Sequence, residues 1–161
     1  MKILGIDPGY ERLGIAILEK NKGDRKEVLL HSECFKTSSK LDFNERLLIL
    51  GEKIEEIIKE YKPNMLSIET LFLNTNQKTV MQVAEVRGAI IYLARKYSLK
   101  IFEASPPQIK SSITGYGASD KEQIRKMVGL LINLPKEKSK SFDDELDAIA
   151  IALTAFAYNK I

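Results

Sequence analysis

Apolar residues follow two rhythms along this chain. Near the N-terminus they form short runs closed by turn residues, and later they recur every three or four positions. Residues 2–7 (KILGID) read as a buried strand ending on Asp7, after which Pro8 fixes φ and Gly9 admits a turn. Residues 13–18 (LGIAIL) predict a second strand, Asn21-Lys22-Gly23-Asp24 a hairpin turn, and residues 27–36 a third strand. The first three strands would then form an antiparallel meander. From Leu41 to Tyr61 the period becomes helical, with Leu47, Leu50, Ile54, Ile57 and Ile58 on one face, and Pro63 stops the helix. Residues 65–69 (MLSIE) make a short buried strand ending on Glu69. A second helix runs from about Lys78 to Tyr97, with Val80, Val83, Ala84, Ile90, Ile91 and Ala94 as its apolar positions. Residues 100–104 (KIFEA) make a fifth strand.

Ser105-Pro106-Pro107-Gln108 predicts a helix start, with Ser105 as N-cap, proline in the first turn and Gln108 as the third helical residue. Ser119-Asp120-Lys121-Glu122 repeats the capping-box pattern, with the flexible Gly115-Tyr116-Gly117 between the two. A basic loop, residues 135–141 (PKEKSKS), precedes a final helix over residues 142–158. The order of strands and helices, without repeat or linker, reads as one α/β domain spanning residues 1–161, with a mixed, three-layered arrangement.

Composition narrows the class. A chain of 161 residues buries a real core, and 44% hydrophobic with 29% charged residues argues against disorder. No apolar run approaches the roughly 20 residues of a membrane span. The start MKILGIDPGY reads as a strand, not a secretion signal, so the expected compartment is the cytoplasm. The single Cys34 cannot form an internal disulfide and reads as a small core or strand residue; His31 reads as structural. Net charge +3 permits nucleic-acid binding without demonstrating it. Basic residues gather late, at Lys110, Lys121, Arg125, Lys126, Lys136, Lys138 and Lys140, whereas the acidic stretch Glu52–Glu56 reads as a solvated face.

Asp7 and Glu69 each close an apolar strand, and functional groups collect at the carboxyl ends of strands in α/β sheets. Asp144 and Asp147 share one helix face and precede an apolar run, Ala148-Ile149-Ala150-Ile151-Ala152-Leu153. The helix dipole accounts for one or two acidic residues there. A carboxylate set against so apolar a helix needs a partner, and no adjacent Lys or Arg supplies one. Four carboxylates with one His and one Cys suit Mg²⁺ or Mn²⁺ and not zinc. Two such ions are a standard apparatus for phosphodiester hydrolysis, one activating water and the other stabilising the leaving oxygen. A GxxxxGK[ST] phosphate loop is absent.

Gly5-Ile6-Asp7-Pro8-Gly9, Ser67-Ile68-Glu69 and Asp144-x-x-Asp147-Ala148 resemble, in order, motifs of the RuvC family of Holliday-junction resolvases. Glu69 to Asn76 resembles the family's catalytic glutamate segment, in which Phe72 matches a junction-contacting phenylalanine. Gln82 to Gly88 resembles its long helix. Pro107 to Lys110 and Gly115 to Lys121 resemble its two lysine-bearing segments. The resemblance implies an RNase H-like fold, a five-stranded mixed sheet flanked by helices. It implies Asp7, Glu69, Asp144 and Asp147 as metal ligands for two Mg²⁺ ions per subunit, with Mn²⁺ as a substitute. Lys110 and Lys121 would bind DNA phosphate, Lys121 also stabilising charge in the transition state, and Phe72 would contact DNA. It further implies a homodimer that cuts opposed strands of a four-way junction, leaving 5′-phosphate and 3′-hydroxyl ends, in recombination and repair. A branch-migration complex of the RuvA and RuvB type is the expected partner. The helix near residues 78–97 is the expected dimer contact, because Val80, Val83, Val86, Ala89, Ile90, Ile91, Leu93 and Ala94 cover more than one face.

Alternatives remain at this level. Asp143 rivals Asp144 by spacing, although the family register favours Asp144; some relatives carry His at the Asp144 position; core is the alternative reading of Phe72, and ordinary surface residues that of the lysines. GIDPG followed by Gly14 also resembles the phosphate hairpin of actin-like ATPases, although 161 residues leave no room for a second lobe. A junction-binding protein without catalysis and another RNase H-like nuclease are the other readings.

Overall fold

The computed structural model describes residues 1–71, 77–132 and 143–159. Along the chain come β1 (Lys2–Asp7), β2 (Arg12–Glu19), β3 (Val28–Lys36), α1 (Phe43–Tyr61), β4 (Met65–Glu69), α2 (Gln77–Lys96), β5 (Lys100–Ala104), α3 (Pro106–Thr114), α4 (Lys121–Ile132) and α5 (Asp143–Tyr158). The sheet order is β3-β2-β1-β4-β5. The β1–β2 and β2–β3 pairs are antiparallel, as the turn signals predict, whereas β4 joins both β1 and β5 in parallel. A parallel pair needs a crossover, and α1 and α2 supply the two. The expected five-stranded mixed sheet flanked by helices is therefore observed.

Strand period sorts the core into two halves. Leu4 and Ile6 of β1 and Leu66 and Ile68 of β4 point to one side, under α1 and α2. Ile3 and Met65 point to the other, under α5, α3 and α4. The same alternation puts Gly5 and Asp7, and Ser67 and Glu69, on the α5 side. The strand pairing aligns Ile6 with Ile68, so Asp7 and Glu69 leave the sheet side by side on one face.

The helix ends follow their caps. Asp42 and Glu45 form a reciprocal capping box at α1, and Ser105 and Gln108 do so at α3 as expected. At α4 the cap falls one residue later than the sequence reading. Asp120 accepts from the Gln123 amide at 2.8 Å and Gln123 Oε1 accepts from Asp120 N at 3.1 Å. The Ser119 hydroxyl is turned inward, donating to the Tyr116 carbonyl at 2.7 Å. In α2 the inward residues are Val86, Ile90 and Ala94, and the expected apolar position Ala84 is exposed. His31 is held by Glu33 at 2.9 Å and lies near the Tyr61 ring, a structural setting. Among the described residues no helix is long and apolar enough to cross a membrane.

Candidate active site

Helix α5 lies across β2, β1 and β4 at unusually close range because two glycines let it. A Cβ at Gly5 would collide with the Ala148 carbonyl and lie 2.7 Å from Ala152 Cβ; one at Gly14 would collide with the Asp144 carbonyl and lie 3.1 Å from Asp7 Cβ. In this fold Gly14 thus serves the seating of α5, which weakens the phosphate-hairpin reading. Two buried hydroxyls fix the helix further. Ser67 of β4 donates to the Ile151 carbonyl at 2.7 Å, and Ser32 of β3 donates to Glu145 at 2.5 Å. With Glu145 locked inward, the first turn of α5 presents Asp144 and Asp147 towards the ends of β1 and β4.

The four predicted carboxylates are neighbours. Burial raises Asp7 to about 7, and Asp147, Glu69 and Asp144 push it the same way. Glu69 is raised by burial and then by Asp147. Asp147 is raised by burial, against the pull of Lys121 and with Asp143 and Asp144 adding to the rise. Like charges packed together in a low-dielectric cleft disfavour their own ionisation, and a cation relieves that cost.

No adjacent Lys or Arg supplies a partner, but cations from distant elements meet part of the demand. Lys121 Nζ stands 3.8 Å from Asp147, and Arg12 Nε 3.4 Å from Asp144. Arg12 was not foreseen: it follows Asp7 closely in sequence, but its approach to α5 exists only once the β1–β2 hairpin folds. Cys34 donates to Asp144 at 3.5 Å, and burial followed by that carboxylate pushes its thiol up to about 11. Its thiol lines the site beside Asp144, and the raised value disfavours the thiolate. Asp143 turns the other way, paired with Arg125 at 2.6 Å, its side chain 61% exposed against 21% for Asp144. Of the two spacing rivals, Asp144 is the one beside Asp7.

A cleft of about 300 Å³ joins Glu69 and Asp147 to Lys110 and Lys121, walled by Ile109, Ile124 and Ile151. Both predicted lysines therefore face the carboxylates, although they come from separate helices. Phe72, Asn74, Thr75 and Asn76, with the loop lysines Lys136, Lys138 and Lys140, lie outside the described residues. The donor set is all carboxylate oxygen and strongly self-repelling, which suits a hard divalent cation in type and charge. Among the described residues, no group of three His, Cys, Asp or Glu side chains has metal-holding geometry as it stands. Asp144 and Asp147 are instead turned to Arg12 and Lys121.

Residues 3–155 match the family described as crossover junction endodeoxyribonuclease RuvC. This chain belongs to the RuvC family. Two RuvC-family relatives, each named crossover junction endodeoxyribonuclease RuvC, support this at full length. That of Thermosipho melanesiensis is 42% identical over 152 residues, 94% of either chain. That of Rickettsia bellii is 43% identical over 154 residues, 96% of either chain. Among solved structures, RuvC of T. thermophilus in complex with a Holliday junction substrate superimposes with a TM-score of 0.90 at 28% identity. The match covers 98% of this chain and 94% of that one. The fold is accordingly the RNase H-like fold of RuvC.

Proposed function

We propose that this RuvC-family chain resolves four-way DNA junctions by Mg²⁺-dependent phosphodiester hydrolysis. The observation that carries the reading is the meeting of Asp7, Glu69, Asp144 and Asp147 with Lys110 and Lys121 at the ends of adjacent strands. The four carboxylates would hold two Mg²⁺ ions, with Mn²⁺ as a substitute. Bound there, the ions would supply Lewis-acid stabilisation of charge on the phosphoryl oxygens. Lys121 would keep a positive charge beside the scissile phosphate as negative charge builds, and Lys110 would grip phosphate along the cleft.

Hydrolysis at the 3′ oxygen would leave 5′-phosphate and 3′-hydroxyl ends. The enzyme would act as one nuclease domain per subunit of a homodimer, in the cytoplasm, with a RuvA and RuvB type branch-migration complex as partner and Phe72 against the DNA. The deciding experiment is incubation with a synthetic four-way junction, with and without Mg²⁺. Paired, symmetric cuts only with metal are expected; no cleavage, or equal cleavage of linear duplex, would refute the proposal.

A further inference from the structure

The α1–α2 side of the sheet carries a second cavity, of about 350 Å³, between the β1–β2 hairpin and the N-terminal turns of the two helices. Its lining includes Tyr10, Glu11, Phe43, Arg46, Thr79 and Gln82. Arg46 is the unusual member. It is 7% exposed, and its buried Nε has no hydrogen-bond partner among the described residues. Its guanidinium lies 5.7 Å from the Tyr10 ring centroid. Its one ion pair among the described residues, Nη1 to Glu11 at 3.9 Å, is long and reaches a carboxylate that is 67% exposed.

A guanidinium taken out of water needs its donors satisfied, and a stretched pair with a solvated carboxylate does little of that. The side chain is buried, lines the cavity, and carries an Nε without a partner among the described residues. The first turn of α2 has no acidic residue to offset its positive end, and Gln82 adds a neutral polar group. Asp42 and Glu45 at α1 are occupied by their mutual capping box. A forked guanidinium beside a positive helix end selects an oxyanion with several lone pairs, and phosphate fits that fork. Tyr10 and Glu11 directly follow Asp7-Pro8-Gly9, so a ligand in this cavity and one at the carboxylates share a single hairpin. A DNA strand carries a phosphate about every 3.4 Å along its axis, so a strand held at Asp7 presents further phosphates to the flanking surface.

We infer that this cavity is a second phosphate subsite, in which Arg46 takes one backbone phosphodiester of the same nucleic acid that the carboxylates cut. The inference rests on the proposed function and adds a specific contact to it. On binding, the phosphate replaces Glu11 as the partner of Arg46.

The test is a coupling measurement on the full chain, without divalent metal so that nothing is cut. Binding is measured to four-way junctions in which single phosphates are replaced, one at a time, by neutral methylphosphonates. One position is expected to cost the unsubstituted protein about tenfold in affinity and to cost Arg46→Gln nothing further. On the unmodified junction, Arg46→Gln removes the contact from both subunits of the proposed homodimer, so it should bind about a hundredfold more weakly, with the slope of log affinity against log salt reduced by about two. An absence of coupling at every position, or an unchanged slope, overturns the subsite and leaves Arg46 a packing residue. If Arg46→Gln does not fold, Gln82→Ala goes through the same cycle; loss at one phosphate supports the subsite and lack of coupling overturns it. A protein that binds no junction overturns both this subsite and the proposed function, whereas one that binds and cuts without coupling overturns only the subsite.

Discussion

Burial and three neighbouring carboxylates hold Asp7 up to about 7, against 3.8 for a free aspartate. Between those values the native chain keeps a proton that the unfolded chain has lost, so stability falls as pH rises from about 4 through about 7. Glu69 and Asp147 are shifted in the same direction. The melting temperature of metal-free protein should therefore drop between about pH 5 and pH 8, and Mg²⁺ should restore it. Asp7→Asn removes the charge, so it should raise the metal-free melting temperature at pH 8 and still abolish cleavage; thermal melts beside a cleavage assay check both. The same assay should show that Glu69→Gln, Asp144→Asn and Asp147→Asn bind junctions without cutting them. Asp143→Asn, which breaks only an exposed pair with Arg125, should keep activity. Lys121→Ala should lower the single-turnover rate about a hundredfold while junction affinity changes far less, because charge stabilisation acts on the barrier and one phosphate contact is a small share of binding.

Among the elements, α5 decides whether the site exists. Its carboxylates come into range because Gly5 and Gly14 let the helix backbone settle onto β1 and β2. Gly14→Ala would press a methyl group into the Asp144 carbonyl, and the helix must lift. We expect a loss of about 1–3 kcal/mol in urea unfolding, the usual cost of overpacking, together with weaker Mg²⁺ binding by calorimetry as Asp144 moves away from Asp7. An unchanged unfolding midpoint would show that α5 has room to shift.

Across the whole molecule, one chain brings together one carboxylate set, and paired cuts in a four-way junction require two related by a two-fold axis. The dimer contact is expected on α2, and the fold refines which of its residues are free to make it. Val86, Ile90 and Ala94 are spent inside their own subunit, whereas Met81 and Tyr92 stand 65% and 68% exposed. Tyr92→Glu should give monomers in sedimentation that nick one strand slowly. A mass near 18.2 kDa at micromolar concentration for the unsubstituted chain, with paired cutting intact, would contradict the dimer.

The sequence by itself determined the elements and singled out the candidate carboxylates. Strand period puts Asp7 and Glu69 each at the end of an apolar strand, helical spacing alone groups Asp144 with Asp147, and the cap at Ser105 is a local hydrogen-bond pattern. These rest on neighbours a few residues apart, so they survive without knowledge of the fold. Tertiary structure decided what crosses long separations. It decided the partners Arg12 and Lys121, the outward turn of Asp143, the use of Gly14 as a seat for α5, and the burial of Arg46 over Tyr10. Each depends on which surfaces the sheet and its crossovers bring into contact. Side-chain electrostatics follow distance in space, and a one-dimensional pattern carries that distance only within a single strand or helix.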